Sequence, residues 1–437
     1  MSWFYLLLAI GLEICGTTCM KLSHGFAKPA PSLLIFVFYA CSIESKLGLS
    51  RSPNVRFREA VELLDATRNA PVVLEARGSS AAVVVAPDLV GRVVCSTFDR
   101  KLGQSNAWIN KEAILAGRVD PVFNNFGGEE RFWFAPEGGP FGLMFGTNNS
   151  SFKNYCVQDG MSSQAYHVVR HDDQSVLMRA EFSLENASRT KFQLRVDRRV
   201  SLLESSPFTM EAPEPLELAA FQTENVVTNV GDATWDRKGG APAIWCLGQH
   251  PEKPLLSLII PVRPVSDSTS MPPTVDEYFK DFCIDGVLPP GRRANYNNFV
   301  LLKADGKVRT KIGIKRERAT GRLGSYDPES DHLTIVDHDF YPELDYPTGY
   351  WRTYGNAFDV DALNVYIDGP QEPGGPGGAF YELETMSPAM FLRPGESFAY
   401  RNRTHHLRGR RKSIGAICER FLKADIKQMD EFYGGPF

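Results

Sequence analysis

The sequence predicts a mainly β protein, a large antiparallel β-sandwich preceded by an N-terminal transmembrane helix. Three observations carry that expectation. Residues 2–20 form an almost uninterrupted apolar run whose only charge is Glu13. From about residue 55 onward the chain changes to short β-rich runs in which apolar and polar residues alternate with a period of two, as a half-buried strand requires. The 37 glycines and 29 prolines are spread along all 437 residues, which fits many turns, and no period of 20 to 50 residues repeats, so a propeller or solenoid is not expected. The expected organisation is a membrane segment at 1–43, a linker at 44–54 and one sandwich over 55–437.

Composition removes several function classes. With 48 basic against 52 acidic residues the net charge is -4, and no basic tract offers an electrostatic footprint for nucleic acid. A content of 43% hydrophobic and 11% aromatic residues allows a core and excludes global disorder. The eight cysteines are scattered without a C-x-x-C pair, so neither a zinc site nor a disulfide framework is expected. Asp337, His338 and Asp339 are the nearest thing to a ligand set, but on a strand the outer two share a face that His338 leaves. No metal and no cofactor are predicted.

At a rise of 1.5 Å per residue the first apolar run covers about 28 Å, near the hydrocarbon thickness of a bilayer. The second, residues 31–43, covers only about 20 Å and ends at Glu44, too short to span as a straight helix. A carboxylate midway along a spanning helix is costly and by default faces a partner or water, although Glu13 could equally be tolerated in a marginal insertion. The stretch from Glu13 through Gly16, Thr17, Thr18, Met20, Lys21, Ser23, Gly25 and Phe26, followed by Pro31, Ser32, Tyr39 and Ser42, resembles the first helix and the start of the second in small multidrug resistance transporters. That resemblance implies a proton and cation site at Glu13. It covers about a tenth of the chain and supplies none of the remaining helices, so a transporter fragment fused to the sandwich is the rival reading. Starting at Met20, the order of basic, apolar and small residues before Cys41 also has the pattern of a lipoprotein signal, with Phe38 where leucine is usual. Both readings place the protein at the cell membrane, in contact with lipid, with the sandwich expected outside the cytoplasm and the spanning helix offering a surface for helix–helix dimerisation.

Within the sandwich, Phe57, Val61 and Leu64 at i, i+4 and i+7 predict a short amphipathic helix. Strands are expected at 72–75, 81–86 and 92–98. A clear hairpin lies at 167–202, where Met178, Ala180, Phe182 and Leu184 are followed by a turn at Asn186 and then by Phe192, Leu194 and Val196. Further strands are expected at 218–230, 255–262, 299–303, 311–314 and 332–337, and one amphipathic helix at 414–432. The Gly/Pro stretch at 369–378 is read as a loop at the sandwich rim.

Chemistry is sought in three clusters. The first is Asn125, Gly127, Gly128, Glu129, Arg131 and Trp133, where glycines allow close approach and a charged group beside an aromatic suits a polar ring with an apolar face. A tight turn with a surface ion pair and a core tryptophan explains the same residues. The second is Tyr350 and Trp351 with Asn364 and Asp368, a stacking platform beside hydroxyl-binding groups, or a core and turn. The third is Glu382 and Glu384, two apart and therefore on one face of a strand. Two inward carboxylates are expensive unless paired or functional; on an exposed face both would simply be solvated.

Taken together, Gly127 to Trp133, Trp245 to Gly248, Ser325 to Asp327, Asn364 to Pro370 and Phe380 to Glu396 resemble the aldose 1-epimerase (galactose mutarotase-like) superfamily, and most closely an uncharacterised bacterial branch of it, over residues 53–409. The resemblance implies the sandwich fold and a carbohydrate partner. In that superfamily a glutamate base and a histidine acid interconvert sugar anomers, which implies Glu384 as base and leaves His250 or His405 as acid, each equally readable as a structural histidine. The superfamily's histidine–glycine–glycine segment has no clear counterpart here, Glu129 following the glycine pair instead. Asn125, Glu129, Arg131, Trp133, Trp351, Asn364, Asp368 and Glu382 are the expected substrate contacts. The function expected is carbohydrate binding at the membrane, with sugar epimerisation or other processing, or binding alone, as alternatives.

Overall fold

The computed structural model describes residues 55–435 apart from 68, 118–119, 121, 145–153, 266–271, 277, 279–287, 348–355, 359–360 and 371–377. The chain divides into two units, Met1–Val55 and Arg56–Phe437, and the described elements belong to the second. Glu13, Tyr350, Trp351 and the expected spanning helix lie outside the described residues; among the described residues no helix is long and apolar enough to cross a membrane.

Helix α1 (Phe57–Ala66) leads in, burying Phe57, Ala60 and Leu64 along one stripe. A three-stranded sheet follows from β1 (Val72–Glu75), β2 (Ala82–Ala86) and β3 (Arg92–Thr97). Helix α2 (Lys111–Ala116), β4 (Arg131–Ala135) and the one-turn α3 (Asp159–Ser162) lead to β5 (His167–His171), β6 (Ser175–Glu185) and β7 (Lys191–Leu202). The turn α4 (Pro207–Met210) precedes β8 (Glu217–Asn229), β9 (Ala243–Pro251), β10 (Ser257–Pro261), β11 (Arg293–Asn295) and β12 (Phe299–Lys303). Then come β13 (Thr310–Lys315), β14 (Arg322–Asp327), β15 (His332–His338), β16 (Asp361–Ile367), β17 (Phe380–Met386) and β18 (Ser397–Arg408).

These strands form a ten-stranded sheet, in the order β11-β12-β10-β14-β15-β18-β8-β7-β6-β5, and a five-stranded sheet, β13-β16-β17-β9-β4. Every strand pair is antiparallel. The alternation read from the sequence is the burial pattern of the hairpin: Met178, Ala180, Leu184, Phe192, Leu194 and Val196 are buried while their neighbours are not.

The two large sheets pack on one apolar core, and each strand's alternate residues show which face is which. In the ten-stranded sheet Leu258, Ile260, Val300, Leu302 and Val336 enter the core shared with the five-stranded sheet. The intervening Ile259, Leu301, Ile335 and Leu407 face the other way, against Ile414, Ile417, Cys418 and Leu422 of the C-terminal segment. In the five-stranded sheet, Leu363, Val365 and Leu383 belong to the shared core. Thr385 Oγ1 donates to Asn402 of β18 at 2.9 Å, and the hydroxyls of Tyr381 and Ser325 meet at 2.7 Å. The odd-numbered residues of β17 therefore face the ten-stranded sheet, and the even-numbered Glu382 and Glu384 point away from it.

The C-terminal amphipathic segment is not the single helix that its periodicity predicts. It is α5 (Arg411–Ile417), a π-helical turn (Cys418–Leu422) and α6 (Ile426–Tyr433). Lys423 adopts a left-handed conformation at φ 63°, which ends the first piece, and Asp425 then caps the next, with Gln428 reaching back to its N–H. Capping geometry has overridden an unbroken apolar stripe.

One buried polar network crosses the shared core. Glu130 accepts from Arg198 Nη1 at 2.8 Å, Thr223 Oγ1 at 2.8 Å and Asn402 Nδ2 at 2.7 Å. Both partners of the ion pair are essentially solvent-free. Removing one member of such a pair strands a buried charge, at a cost of about 3–5 kcal/mol. Arg198→Met is expected to lower unfolding free energy by that amount in urea titrations, and adding Glu130→Gln to recover part of it by removing the stranded carboxylate. A double variant no more stable than the single one would refute this assignment of the loss.

Candidate functional site

The outer face of the five-stranded sheet carries most of the polar residues singled out in the sequence. Strand register sets them side by side. Glu382 lies opposite Gln249 of β9 and Tyr366 of β16, and Glu384 lies opposite Leu247 and Asn364. Leu247 in turn pairs with Arg131 of β4, and Trp245 with Trp133; Lys311 of β13 pairs with Tyr366. Cross-strand partners share a face, so one surface displays Lys311, Asn364, Tyr366, Glu382, Glu384, Gln249, Trp245, Arg131 and Trp133.

Each of the two carboxylates on β17 has its own cation. Arg131 Nη2 donates to Glu382 Oε1 at 3.1 Å, and Gln249 Nε2 to the same oxygen at 2.8 Å. Lys311 Nζ donates to Glu384 Oε2 at 3.0 Å, as does Trp245 Nε1 at 3.0 Å. Aromatic faces back both cations: the Arg131 guanidinium lies 3.8 Å from the Trp133 ring centroid, and Lys311 Nζ 4.6 Å from that of Trp245 and 4.7 Å from that of Tyr278. Desolvated cation–π contacts of this kind hold the cations even when the carboxylates are otherwise engaged.

Both carboxylates and both cations are buried; Glu384 is 0% exposed. Burial with the neighbouring Glu384 pushes the Glu382 carboxyl up to about 7, against the pull of Arg131 and Lys311. Burial likewise raises Glu137, whose Oε2 accepts from the Tyr278 hydroxyl at 2.6 Å. For Lys311 burial alone would favour the neutral amine, but Glu384, Glu137 and Glu382 outweigh it and hold the ammonium above its ordinary value. Several buried polar atoms on this face have no hydrogen-bond partner: Arg131 Nε and Nη1, Gln249 Oε1 and Glu384 Oε1. Unmade hydrogen bonds at such atoms cost about 1–3 kcal/mol each, and a polar ligand would satisfy donors and acceptors together.

Strand register brings Arg131, Trp133, Asn364, Glu382 and Glu384, which the sequence offered in three separate clusters, to one face, and the ion pair at Arg131 is buried instead of lying at a surface turn. Asp368 sits at the end of the same row, accepting from the Tyr366 hydroxyl at 3.1 Å, with its carboxyl raised by burial. Asn125 lies in the preceding loop, its amide oxygen buried without a partner.

Three candidates do not join them. Glu129 accepts from the Ser96 N–H and, at 3.1 Å, pairs with His406 Nε2; burial would raise its carboxyl, but His406 and the other donors hold it below the usual range. His250 follows Gln249, so strand alternation turns it to the inner face, opposite Tyr381, where Nδ1 meets the Asn106 carbonyl at 3.2 Å. Burial drives its imidazole down to about 4, so it is neutral near pH 7. His405 is on β18, beside Asp337 and edge-on to Phe208 at 4.9 Å, under the C-terminal segment. Asp337 and Asp339 both pair with Arg403, while His338 turns to Tyr400.

Lys311, Gln249, Trp245 and Tyr278 were not picked out as site residues. A signal existed for two of them: Trp245 and Gln249 fall on one parity of a strand. Tyr278 reaches the cluster from an irregular segment that no periodicity marks. A separate cavity of about 490 Å³, lined by Gly78, Ser80, Asp99, Glu204 and Glu217 among others, contains none of these paired groups.

Residues 55–433 match a family model whose description is "Family of unknown function (DUF6786)". The chain belongs to that family. Residues 1–48 match a second model, small multidrug resistance protein. A relative described as uncharacterized membrane protein YvaE, from Bacillus subtilis, is 54% identical over 43 residues, 10% of this chain and 36% of that protein; the chain thus spans about a third of that relative's length. Similar solved structures include a putative aldose 1-epimerase from Escherichia coli K12 (13% identity, TM-score 0.45, covering 77% of this chain and 99% of that one). Others are Slr1438 from Synechocystis (14%, TM-score 0.46, 78% and 97%) and a galactose mutarotase-like protein from Lactobacillus casei (12%, TM-score 0.44, 77% and 100%).

For this DUF6786 member the burial of His250 gives a pH signature. A histidine near 6.5 when unfolded and about 4 when folded leaves the unfolded state binding more protons between those values, so stability falls as pH drops through that window. The loss comes to about 3 kcal/mol from this group. His250→Gln is expected to flatten the decline in urea midpoint between pH 6.5 and 4; an unchanged slope would count against a neutral buried imidazole.

Proposed function

We propose that the outer face of the five-stranded sheet binds a carbohydrate and interconverts its anomers, with Glu384 as the base. The observation that carries this reading is the arrangement of two buried carboxylates on one strand face, each fixed by its own cation, beside unsatisfied donors and acceptors. A pyranose presents hydroxyls that both donate and accept, and an apolar ring face suited to tryptophan. Lys311 and Trp245 both donate to Glu384 Oε2, which leaves Oε1 to take the proton of the anomeric hydroxyl. Arg131, Gln249 and Asn364 hold the remaining hydroxyls. Tyr278, Tyr366 and Asp368 are partly exposed at the margin of this face. The motif resemblance of Phe380 to Glu396 and Gly127 to Trp133 to aldose 1-epimerases supports the same reading.

Glu384→Gln removes the base and keeps the shape. Anomer exchange of common aldoses, followed by NMR, is expected to fall by about 10²- to 10⁴-fold in this variant while sugar affinity by calorimetry stays within a few-fold. Binding without exchange in the wild-type protein would favour a non-catalytic sugar-binding module, and absence of binding across the aldoses would end the carbohydrate reading.

We also propose that residues 1–43 attach the protein to the cell membrane, with the sandwich outside the cytoplasm. The length of the 2–20 apolar run and the small multidrug resistance match support it. The full chain is expected to stay with the membrane pellet after alkaline carbonate washing; recovery in the supernatant would contradict it. A fused transporter fragment working through Glu13 is the alternative, favoured only by proton-coupled efflux of a cation that disappears with Glu13→Gln.

A further inference from the structure

Anomer interconversion needs two groups. One takes the proton from the anomeric hydroxyl and the other delivers a proton to the ring oxygen as the bond between that oxygen and the anomeric carbon breaks. No histidine on the outer face of the five-stranded sheet is described, and strand alternation turns His250 to the opposite side. From the geometry of β17 we infer that Glu382 and Glu384 form a carboxyl dyad sharing one proton, with Glu382 as the donor to the ring oxygen.

This rests on the proposed carbohydrate reading for its substrate, and the dyad on the placement of both acids on one buried face. Residues two apart on a strand point the same way, so both carboxyls enter one buried cluster, met by Arg131 from β4 and Lys311 from β13. Two carboxylates in one buried cluster do not both ionise readily. The bonding is also asymmetric. Lys311 and the Trp245 indole both donate to Glu384 Oε2. Arg131 and Gln249 both donate to Glu382 Oε1, which leaves protonation to Oε2.

The surrounding charges on other elements complete the balance. Arg131, Lys311 and the more distant Arg92 are cations within electrostatic reach of Glu382; Glu384 and Glu137 are the acids. Tyr155 and Tyr366, their phenols pushed up by burial, are neutral.

In the reaction the anomeric O–H proton passes to Glu384 Oε1, a carbonyl forms at the anomeric carbon, its bond to the ring oxygen breaks, and that oxygen takes the proton from Glu382. Glu382 is then ionised and Glu384 protonated. Rotation of the aldehyde and reversal of both transfers give the other anomer with each carboxyl restored.

The test is a pH titration of the full-length protein in detergent by difference infrared spectroscopy of the carboxylic acid stretch, run alongside anomer exchange. The wild type is expected to show a buried carboxyl titrating near 7 that is absent in Glu382→Gln. In Glu384→Gln it should fall by a unit or more, because the like-charged partner is gone. Anomer exchange should decline above pH 7 in the wild type, and Glu382→Gln should reduce its rate by about 10²- to 10⁴-fold. Near-UV dichroism checks that both variants keep their packing; should Glu382→Gln fail to fold, Glu384→Gln alone decides the coupling. A titration near 7 that survives in Glu382→Gln, or does not move in Glu384→Gln, overturns the dyad. Turnover retained in Glu382→Gln overturns its role as donor. A coupled titration in a protein that exchanges no aldose leaves the dyad standing and removes the carbohydrate reading instead.

Discussion

The two-residue period of strand β17 decides which groups meet which. Tyr381, Leu383 and Thr385 go to the core shared with the ten-stranded sheet, and Glu382 and Glu384 go to the outer face. Every other feature of that face is arranged around those two carboxylates. Arg131 comes two strands away on β4 and Lys311 two strands away on β13, each on the parity that reaches one acid. A slip of one residue would send both glutamates into the apolar core and both leucine and tyrosine partners outward, so the register is specified from both faces at once. Gly313 shows how tightly the outer face is built: a Cβ there would collide with the Asp361 carboxylate.

Two buried ionic systems lie on opposite sides of the same sheet, and they differ in how completely they are satisfied. Within the core, both oxygens of Glu130 are engaged, by Arg198, Thr223 and Asn402. That system ties β4, β7, β8 and β18 together and behaves as structure. On the outer face Glu384 keeps one oxygen and Arg131 two nitrogens without partners, and in the core network one atom, Arg198 Nη2, lacks one. A buried polar atom without a partner is a cost in either place.

How far the sequence revealed this depended on where strand alternation was visible. The hairpin of Ser175–Glu185 and Lys191–Leu202 was legible because one of its faces is solvated, so polar and apolar residues alternate. Ala243–Pro251 was not, because it is buried on both sides and reads as a continuous run with no contrast. Ser397–Arg408 was hidden for the opposite reason: arginines, histidines and asparagine interrupt it, each matched by a partner on β8 or β15 that no local pattern reveals. The site followed the same logic. Glu382 and Glu384 could be placed together from their spacing, whereas Arg131 and Trp133 were read as part of a glycine-rich cluster. His250 was picked by its position after Trp245, and its neighbour Gln249 holds the position on the outer face. The C-terminal break at Lys423 depended on a backbone conformation that apolar periodicity does not encode.

Both large sheets have an outer face to close, and they close it differently. The ten-stranded sheet uses apolar side chains under α5, the π-helical turn and α6, with Ile259, Leu301, Ile335 and Leu407 meeting Ile414, Cys418 and Leu422. The five-stranded sheet closes over three acids, an arginine and a lysine. A buried ion pair is often no more stabilising than well-packed apolar residues of the same size, and the desolvation of each charge costs several kcal/mol. The same chain therefore demonstrates the cheaper solution on one sheet and departs from it on the other. Stability gives no reason for that difference; the chemistry proposed for this face would use titratable groups fixed in a dry, ordered place.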